Sequence, residues 1–494
     1  MLFVEARFFF FFAIVFSVAW MLRSNRARKA FLLVCNYVFY SCFFVGDPLA
    51  FLLHLSAKQW ALLPAGWWFP FVLLGSTGLD YLIGLRLEEA GNQLRRRGYL
   101  LASLTVNIGT LCIFKYLNFL VISGGQFLAW IGLPASYHTL RILLPYGVSF
   151  YTFQSISYTV EVYRRHLRAE RSFLDLAFFI GFFPALVAGP IVRATYFLPQ
   201  TKQRPRWREV DVRGALVLFL VGFVKKACVA DSIAPFVDQY FAAPASFTAG
   251  SAWLGVLLYA VQIYCDFSGY TDMAIAVAGL LGYRLTINFN FPYFANSITD
   301  FWRRWHISLS SWLRDYLYIS LGGNRGSKLF TYRNLLLTML LGGLWHGASW
   351  VFVLWGGLHG LGLIVHREWT RVLGGSRVAL GIFRNAYQVV AVCLTFYFVC
   401  VCWVFFRAGT LDKACVVLRG FVLGQSAGTQ ALDGHLWWLL GALTLVHWLN
   451  FRGVFARWWR RIPEVAFASV YGAAWPIVLL FTPAQYVPFI YFQF

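Results

Sequence analysis

Long apolar runs recur along most of the chain, separated by short polar or basic stretches. An α-helix needs about 20 apolar residues to cross the hydrocarbon of a bilayer. The pattern therefore predicts spans near 8–22, 30–46, 60–86, 98–122, 142–163, 212–232, 250–282, 386–406, 435–451 and 465–482. The first run has one basic residue, Arg7, before it and no small-residue cleavage pattern after it. It reads as a retained span and not as a secretory leader.

Three stretches depart from this pattern. Residues 173–200 are apolar but basic at both ends, with Arg171 before them and Lys202, Arg204, Arg206 and Arg208 after. Phe183-Pro184 and Ala188-Gly189-Pro190 interrupt them, and an internal proline breaks the helical hydrogen-bond ladder. A re-entrant hairpin or a broken helix is expected, a backbone tolerated at membrane depth only when buried in protein or lining a cavity. Residues 334–366 are Gly-rich and basic at both ends, which predicts two short, poorly spanning helices. Between these lie residues 283–333, where Arg303, Arg304, Arg314, Arg325, Lys328 and Arg333 mix with aromatics, Asp300 and Asp315. This stretch reads as amphipathic helices on the cytoplasmic face.

The expected fold is all-α, a polytopic integral membrane protein with about eleven to thirteen membrane segments, some of them re-entrant or short. One membrane domain, 1–494, is expected. Residues 1–163 would supply the N-terminal spans, 173–366 a catalytic core that includes 283–333, and 386–494 the C-terminal spans and an aromatic tail.

Composition agrees with that reading. Of the 494 residues, 60% are hydrophobic and 13% charged, about half the charged share of roughly 25% in soluble domains. Disordered, collagen-like and disulfide-scaffold classes are excluded, and a soluble globule lacks the polar side chains to cover its surface. The net charge of +22 would suggest a nucleic-acid partner in a soluble protein. Here the cations lie between apolar runs and read as positive-inside topology, with anionic lipid and no nucleic acid as the partner. Arg23, Arg26, Arg28 and Lys29, then Arg95, Arg96 and Arg97, then Arg164, Arg165, Arg168 and Arg171 mark cytoplasmic loops and place the N-terminus outside. The nine cysteines sit mostly in apolar stretches without a CxxC pair, so no metal site is expected.

Polar residues inside apolar runs are the candidates for chemistry, because hydrocarbon penalises them by about 2.5 kcal/mol or more. His346 lies in Leu341-Gly-Gly-Leu-Trp-His346-Gly-Ala-Ser. A desolvated imidazole is held neutral and can accept a proton as a general base; the competing reading is a buried histidine bonded between helices. His306, in Phe301-Trp-Arg-Arg-Trp-His306-Ile-Ser-Leu-Ser310, reads by itself as part of an interfacial helix. His359, four residues beyond Trp355, can face the same cavity but reads as a core residue. Asp266 and Cys265, in Gln262-Ile-Tyr-Cys-Asp266-Phe-Ser-Gly-Tyr-Thr-Asp272, mark a polar cavity wall, and nothing nearby in sequence activates the thiol as a nucleophile. Arg303, Arg304 and Arg314, with Trp305 among them, can hold the phosphates of an anionic cofactor or attract anionic lipid.

Phe301 to Asp315 followed by Gly342 to Gly347 strongly resembles the membrane-bound O-acyltransferases. Leu144-Pro-Tyr-Gly-Val-Ser-Phe-Tyr, Ala188-Gly-Pro, Asp266-Phe-Ser-Gly-Tyr-Thr-Asp-Met-Ala and Arg314-Asp-Tyr-Leu-Tyr-Ile are similar to family blocks in family order. The resemblance covers nearly the whole chain and is weakest over about 370–460. It implies that His346 is the main catalytic histidine and His306 the second, beside a central tunnel. It also implies a cytoplasmic acyl donor, acetyl-CoA, bound near Arg303, Arg304, Arg314 and Trp305. The likeness is greatest to the branch that acetylates exported bacterial exopolysaccharides such as alginate or cellulose at the inner membrane. That branch works with a periplasmic acetyltransferase partner and the polysaccharide-synthesis machinery. The aromatic ending Pro488-Phe-Ile-Tyr491-Phe-Gln-Phe494 is similar to tails in that branch, which makes Tyr491 a candidate acyl carrier; a membrane-interface anchor is the alternative. D-alanyl transfer to teichoic acid and polysaccharide transport without group transfer are the competing functions. The second is disfavoured by the buried base and by the lack of an inverted repeat.

Overall fold

Helices form where the apolar runs end on residues able to cap them. Asn92, Ser172, Ser297, Ser327 and Thr410 each accept a hydrogen bond from the backbone N–H three residues on, at 2.7–3.3 Å. These bonds satisfy donors that a helix start leaves open. The computed structural model describes residues 1–45, 66–134, 136, 138–372, 384–483 and 488–490. Among them the only strand-like pairing is one bridge, Phe247 with Gln430, and the fold is all-helical.

The chain divides into two compact units, residues 1–220 with 270–287 and residues 221–269 with 288–494. The first unit contains α1 (Ala6–Met21), α2 (Asn25–Val45), α3 (Phe69–Glu89), α4 (Gln93–Leu111), α5 (Leu117–Trp130) and α6 (Val148–Tyr163). A π-helical turn, Cys112–Tyr116, joins α4 to α5. The interrupted apolar stretch is broken as its prolines require, into α7 (Phe173–Gly181), α8 (Phe183–Leu186) and α9 (Ala194–Thr201). Residues 175–192 are buried throughout.

Two sets of buried polar groups in this unit tie its helices together. Asp80 on α3 accepts from Ser103 at 2.6 Å and from Asn107 at 3.0 and 3.1 Å, both on α4. Ser103 also donates to Thr159 on α6 at 3.1 Å. Three helices are thereby tied at one level. Arg96, also on α4, donates to the carbonyls of Leu87, Val162 and Tyr163 and closes the same three helices at another level. Lys29 and Lys202 both pair with Asp175.

The second unit begins near the end of α10 (Val212–Phe223) with a seven-residue π-helical turn, Val224–Ala230, and then α11 (Asp231–Ala242). The long helix α12 (Ala249–Leu280) contributes residues 249–269 to it. Two very short helices follow, α13 (Ile298–Arg304) and α14 (Ile307–Trp312), then a π-helical turn, Leu313–Tyr318. Next come α15 (Lys328–His346), α16 (Trp350–Val372), α17 (Arg384–Ala408) and α18 (Leu411–Leu423). The last helices are α19 (His435–Phe451), α20 (Val454–Trp459) and α21 (Glu464–Leu480).

The expectation of two short helices over 334–366 is corrected. The break falls at Gly347-Ala-Ser349, and the helices have 19 and 23 residues. Each continues outward through polar residues, Lys328 to Asn334 and Arg367 to Arg371, which an apolar-run boundary leaves out. By length and composition two helices among the described residues can cross a membrane, Gln93–Trp130 and Asn385–Ala408. Ala6–Met21 and Glu464–Leu480 are apolar but shorter. The other predicted runs also fold as helices where described.

Candidate active site

The α15–α16 hairpin places His346. Glycines let the two helices approach closely: a Cβ on Gly343 would meet the Phe352 carbonyl oxygen at 2.2 Å, and one on Gly356 would meet the Met339 oxygen at 2.2 Å. Only residues without a side chain fit this crossing. His346 is the last residue of α15 and is 5% exposed. Its ring meets Trp345, Trp355 and Phe406 edge-to-face, with centroids 5.0, 5.0 and 5.2 Å away. The negative end of the α15 dipole therefore lies at a desolvated imidazole with aromatic walls.

His306 is held by a different device. It stands between α13 and α14 with φ +43°, a left-handed conformation that is uncommon outside glycine, though histidine is among the residues enriched there. It occupies the N-cap position of α14, and its ring does the work usually done by Ser or Asp. The Leu309 N–H donates to His306 Nδ1 at 3.2 Å. The residues beside it are strapped to residues 288–290. The Ile307 N–H donates to the Asn288 carbonyl at 2.9 Å, and the Ser308 N–H and hydroxyl both donate to Asn288 Oδ1 at 3.1 and 2.9 Å. The Asn290 N–H donates to the Arg304 carbonyl at 2.9 Å.

This geometry decides the tautomer of His306. A nitrogen that accepts a hydrogen bond carries no proton, so in the neutral ring the proton sits on Nε2. Burial pushes the His306 pKa down from 6.5 to about 3, because a desolvated ring resists charge. At neutral pH His306 thus presents an N–H donor, with Phe267 at 4.7 Å, Trp345 at 6.2 Å and Phe289 at 6.4 Å between ring centroids. Trp345 touches both histidines, so one indole lines the space next to each of them.

A third histidine joins this group. His359 is fully buried on α16, one turn after Trp355, with the two ring centroids 4.7 Å apart. Phe301, Trp302 and Phe398 complete its surroundings at 5.1–6.0 Å. Among the described residues neither ring nitrogen of His359 makes a hydrogen bond, and neither do the indole nitrogens of Trp302 and Trp355. Buried polar atoms of this kind are rare and call for an explanation, an unseen water or ligand being the usual one.

The basic candidates are placed unevenly. Arg303 and Arg314 are exposed, and Arg304 is half-buried. Arg304 Nε donates to Asp300 at 2.8 Å and Arg314 Nε to Asp315 at 2.7 Å. Trp305 is buried, stacked on Phe301 at 5.7 Å and packed on Phe289 and Trp403 at 5.0 Å. Asp266 lies on α12, 3% exposed, and Cys265 beside it is half-buried. Tyr491 lies outside the described residues. The sequence reading passed over Asn288 and Lys226. Lys226 interrupts the apolar run 212–232 much as His346 interrupts its own, and that signal was available.

A helical membrane protein that buries neutral imidazoles beside Gly-packed helices, with exposed arginines on the adjoining short helices, has the parts of a group-transfer enzyme. Comparison with known proteins supplies the class: residues 98–406 match the membrane-bound O-acyltransferase family. The chain belongs to that family and is a membrane-bound O-acyltransferase. It is 42% identical to the probable alginate O-acetylase AlgI of Pseudomonas aeruginosa over 84% of this chain and 73% of that one. It is 38% identical to the same-named protein of Pseudomonas putida over the full length of both. A peptidoglycan O-acetyltransferase of Helicobacter pylori is 37% identical over 74% of each chain.

Proposed function

We propose that the protein moves acetyl groups from acetyl-CoA, a cytoplasmic donor, across the inner membrane as a multi-pass enzyme, for O-acetylation of an exported exopolysaccharide. Relatives named for alginate and peptidoglycan acetylation support that substrate class. The observation that carries the mechanism is the division of labour between two buried histidines: His306, fixed as an Nε2–H donor by the Leu309 N–H, and His346, at the C-terminus of α15.

His346 acts as general base. It takes the proton of an acceptor hydroxyl while that oxygen bonds to the acetyl carbonyl carbon. The C–S bond of the thioester then breaks, and the proton passes to the leaving thiolate. The α15 C-terminus favours the positive charge that arrives on the ring. The Nε2–H of His306 offers a donor for the negative charge developing on the carbonyl oxygen. Arg303 and Arg314, being exposed, take the donor's phosphates. The first acceptor is the Tyr491 phenol, whose ester is activated relative to an alkyl ester, and a periplasmic acetyltransferase partner receives the group from it.

His346→Ala is expected to insert normally and to lower polymer acetylation by about a hundred- to ten-thousand-fold, the range for loss of a general base. A correctly inserted His346→Ala protein with full activity would refute the mechanism. Tyr491→Phe keeps the aromatic anchor and removes only the phenol oxygen. Loss of both polymer acetylation and acetyl-CoA turnover is expected, with acetyl-CoA binding retained, and unchanged polymer acetylation removes the relay.

A further inference from the structure

A buried charge cluster outside the histidine site holds the end of the chain. Lys226, in the π-helical turn after α10, is 2% exposed. Its ammonium pairs with Asp231 at 2.6 Å and with Asp266 at 2.9 Å. The turn and α12 come together at Gly269, where a Cβ would lie 2.6 Å from the Gly222 carbonyl oxygen and 2.9 Å from the Lys226 nitrogen. Two carboxylates thus share one cation in a desolvated place, and a buried carboxylate needs further donors. The donor that reaches Asp266 comes from 224 residues away: the Ile490 N–H bonds to its Oδ2 at 2.7 Å.

That bond fixes the described part of the tail. Phe489 and Ile490 are 0% and 2% exposed. Phe489 packs on Phe267 at 6.0 Å, and the other contacts of Phe267 include His306 at 4.7 Å. Asp266 and Phe267 are neighbours on α12, so one residue grips the tail backbone while the next links its side chain to the second histidine. A membrane-interface anchor would leave these two side chains at a lipid-exposed surface, whereas Phe489 and Ile490 are inside the protein.

We propose that Asp266, paired with Lys226, is the positioning residue for the C-terminal tail, and that the seated tail forms part of the wall of the His306 pocket. Asp266 touches no reacting atom. It sets the place of the backbone one residue before Tyr491. The proposal rests on the transferase reading above but not on the tyrosine relay.

The test uses full-length protein in detergent or nanodiscs, with two readouts. Hydrogen–deuterium exchange of the C-terminal peptide reports the Ile490 amide directly, and acetyl transfer reports function. Asp266→Ala is expected to speed exchange of that amide by tenfold or more and to lower acetyl transfer by about ten- to a hundredfold, the range for losing a hydrogen bond to a charged group. The donor KM should be unchanged, because Arg303 and Arg314 are untouched. Asp266→Asn keeps an oxygen facing the amide and should retain exchange within threefold of wild type and most of the transfer. Ile490→Pro deletes the donor while leaving the Lys226 cluster intact, and should reproduce the loss even where Asp266→Ala does not accumulate. Full transfer by Ile490→Pro, or unaltered amide exchange in Asp266→Ala, overturns the proposal. Either result leaves the His346→Ala outcome standing, so failure of the tail and failure of the transferase reading are told apart.

Discussion

Two buried polar groups, one in each unit, show opposite uses of the same cost. Asp80 is 0% exposed and draws its hydrogen bonds from Ser103 and Asn107 on the neighbouring helix. Its partners are hydroxyl and amide groups whose other bonds run to the same knot. His306 is also 0% exposed, but its Nδ1 accepts a backbone N–H and its ring lies beside Phe267 and Trp345. A buried polar group tied to its neighbours spends its bonding capacity on the fold. One whose ring caps a helix start has its tautomer set by that bond, which directs its remaining N–H. Burial alone therefore does not identify a functional residue; what surrounds it does.

The sharpest way to break this contrast is to remove one group of each kind. His346→Ala should lose about a thousandfold in transfer, roughly 4 kcal/mol of transition-state stabilisation, with the folded protein melting near the wild-type temperature. Asp80→Ala should do the reverse. It removes the acceptor shared by the Ser103 hydroxyl and the Asn107 amide, and each buried hydrogen bond lost costs about 0.5–1.5 kcal/mol. Its melting temperature should fall, and the transfer rate per folded molecule should stay within about threefold of wild type. Paired melting curves and single-turnover acetyl transfer measure both. Equal stability losses in the two variants would erase the distinction.

Much of this layout was legible in the sequence. The runs 98–122 and 386–406 lie within the two helices able to cross a membrane. Pro184 and Pro190 announced the broken stretch, because a ring that lacks an N–H acts locally wherever it stands. The histidine candidates stood out as polar interruptions of apolar sequence. What the sequence could not convey was everything that depends on distant chain. The Nδ1 bond that fixes the tautomer of His306 requires a left-handed φ at a non-glycine residue, which no local pattern specifies. The helices around Gly347 were expected to be short because hydropathy marks where apolar residues stop, not where hydrogen bonding stops. Asp266 was visible as polar, but its partners Lys226 and Ile490 lie 40 residues before it and 224 after it.

The smallest expected effect follows from the protonation of His306. Its pKa is about 3 in the folded protein and 6.5 as its ordinary value. The folded state therefore refuses a proton that the unfolded chain accepts once the pH falls below 6.5. Stability from this residue is fully present above that value and declines as the pH drops toward 3, with a limiting slope of about 1.4 kcal/mol per pH unit. Between pH 6.5 and about pH 5.5 the loss integrates to about 1 kcal/mol. His306→Gln removes the titration. Its side-chain oxygen can still accept the Leu309 N–H and its amide can donate outward. The variant should be less stable than wild type at pH 7.5, because glutamine fits the aromatic walls less well, and the gap should narrow by about 1.4 kcal/mol on moving to pH 5.5. Denaturant melts of the two proteins at both pH values provide the measurement. A gap that stays constant would mean that His306 gains its proton in the folded state as readily as in the unfolded chain, and the neutral Nε2–H donor would go with it. A gap that closes as expected ties the acid sensitivity to one imidazole among many buried polar groups.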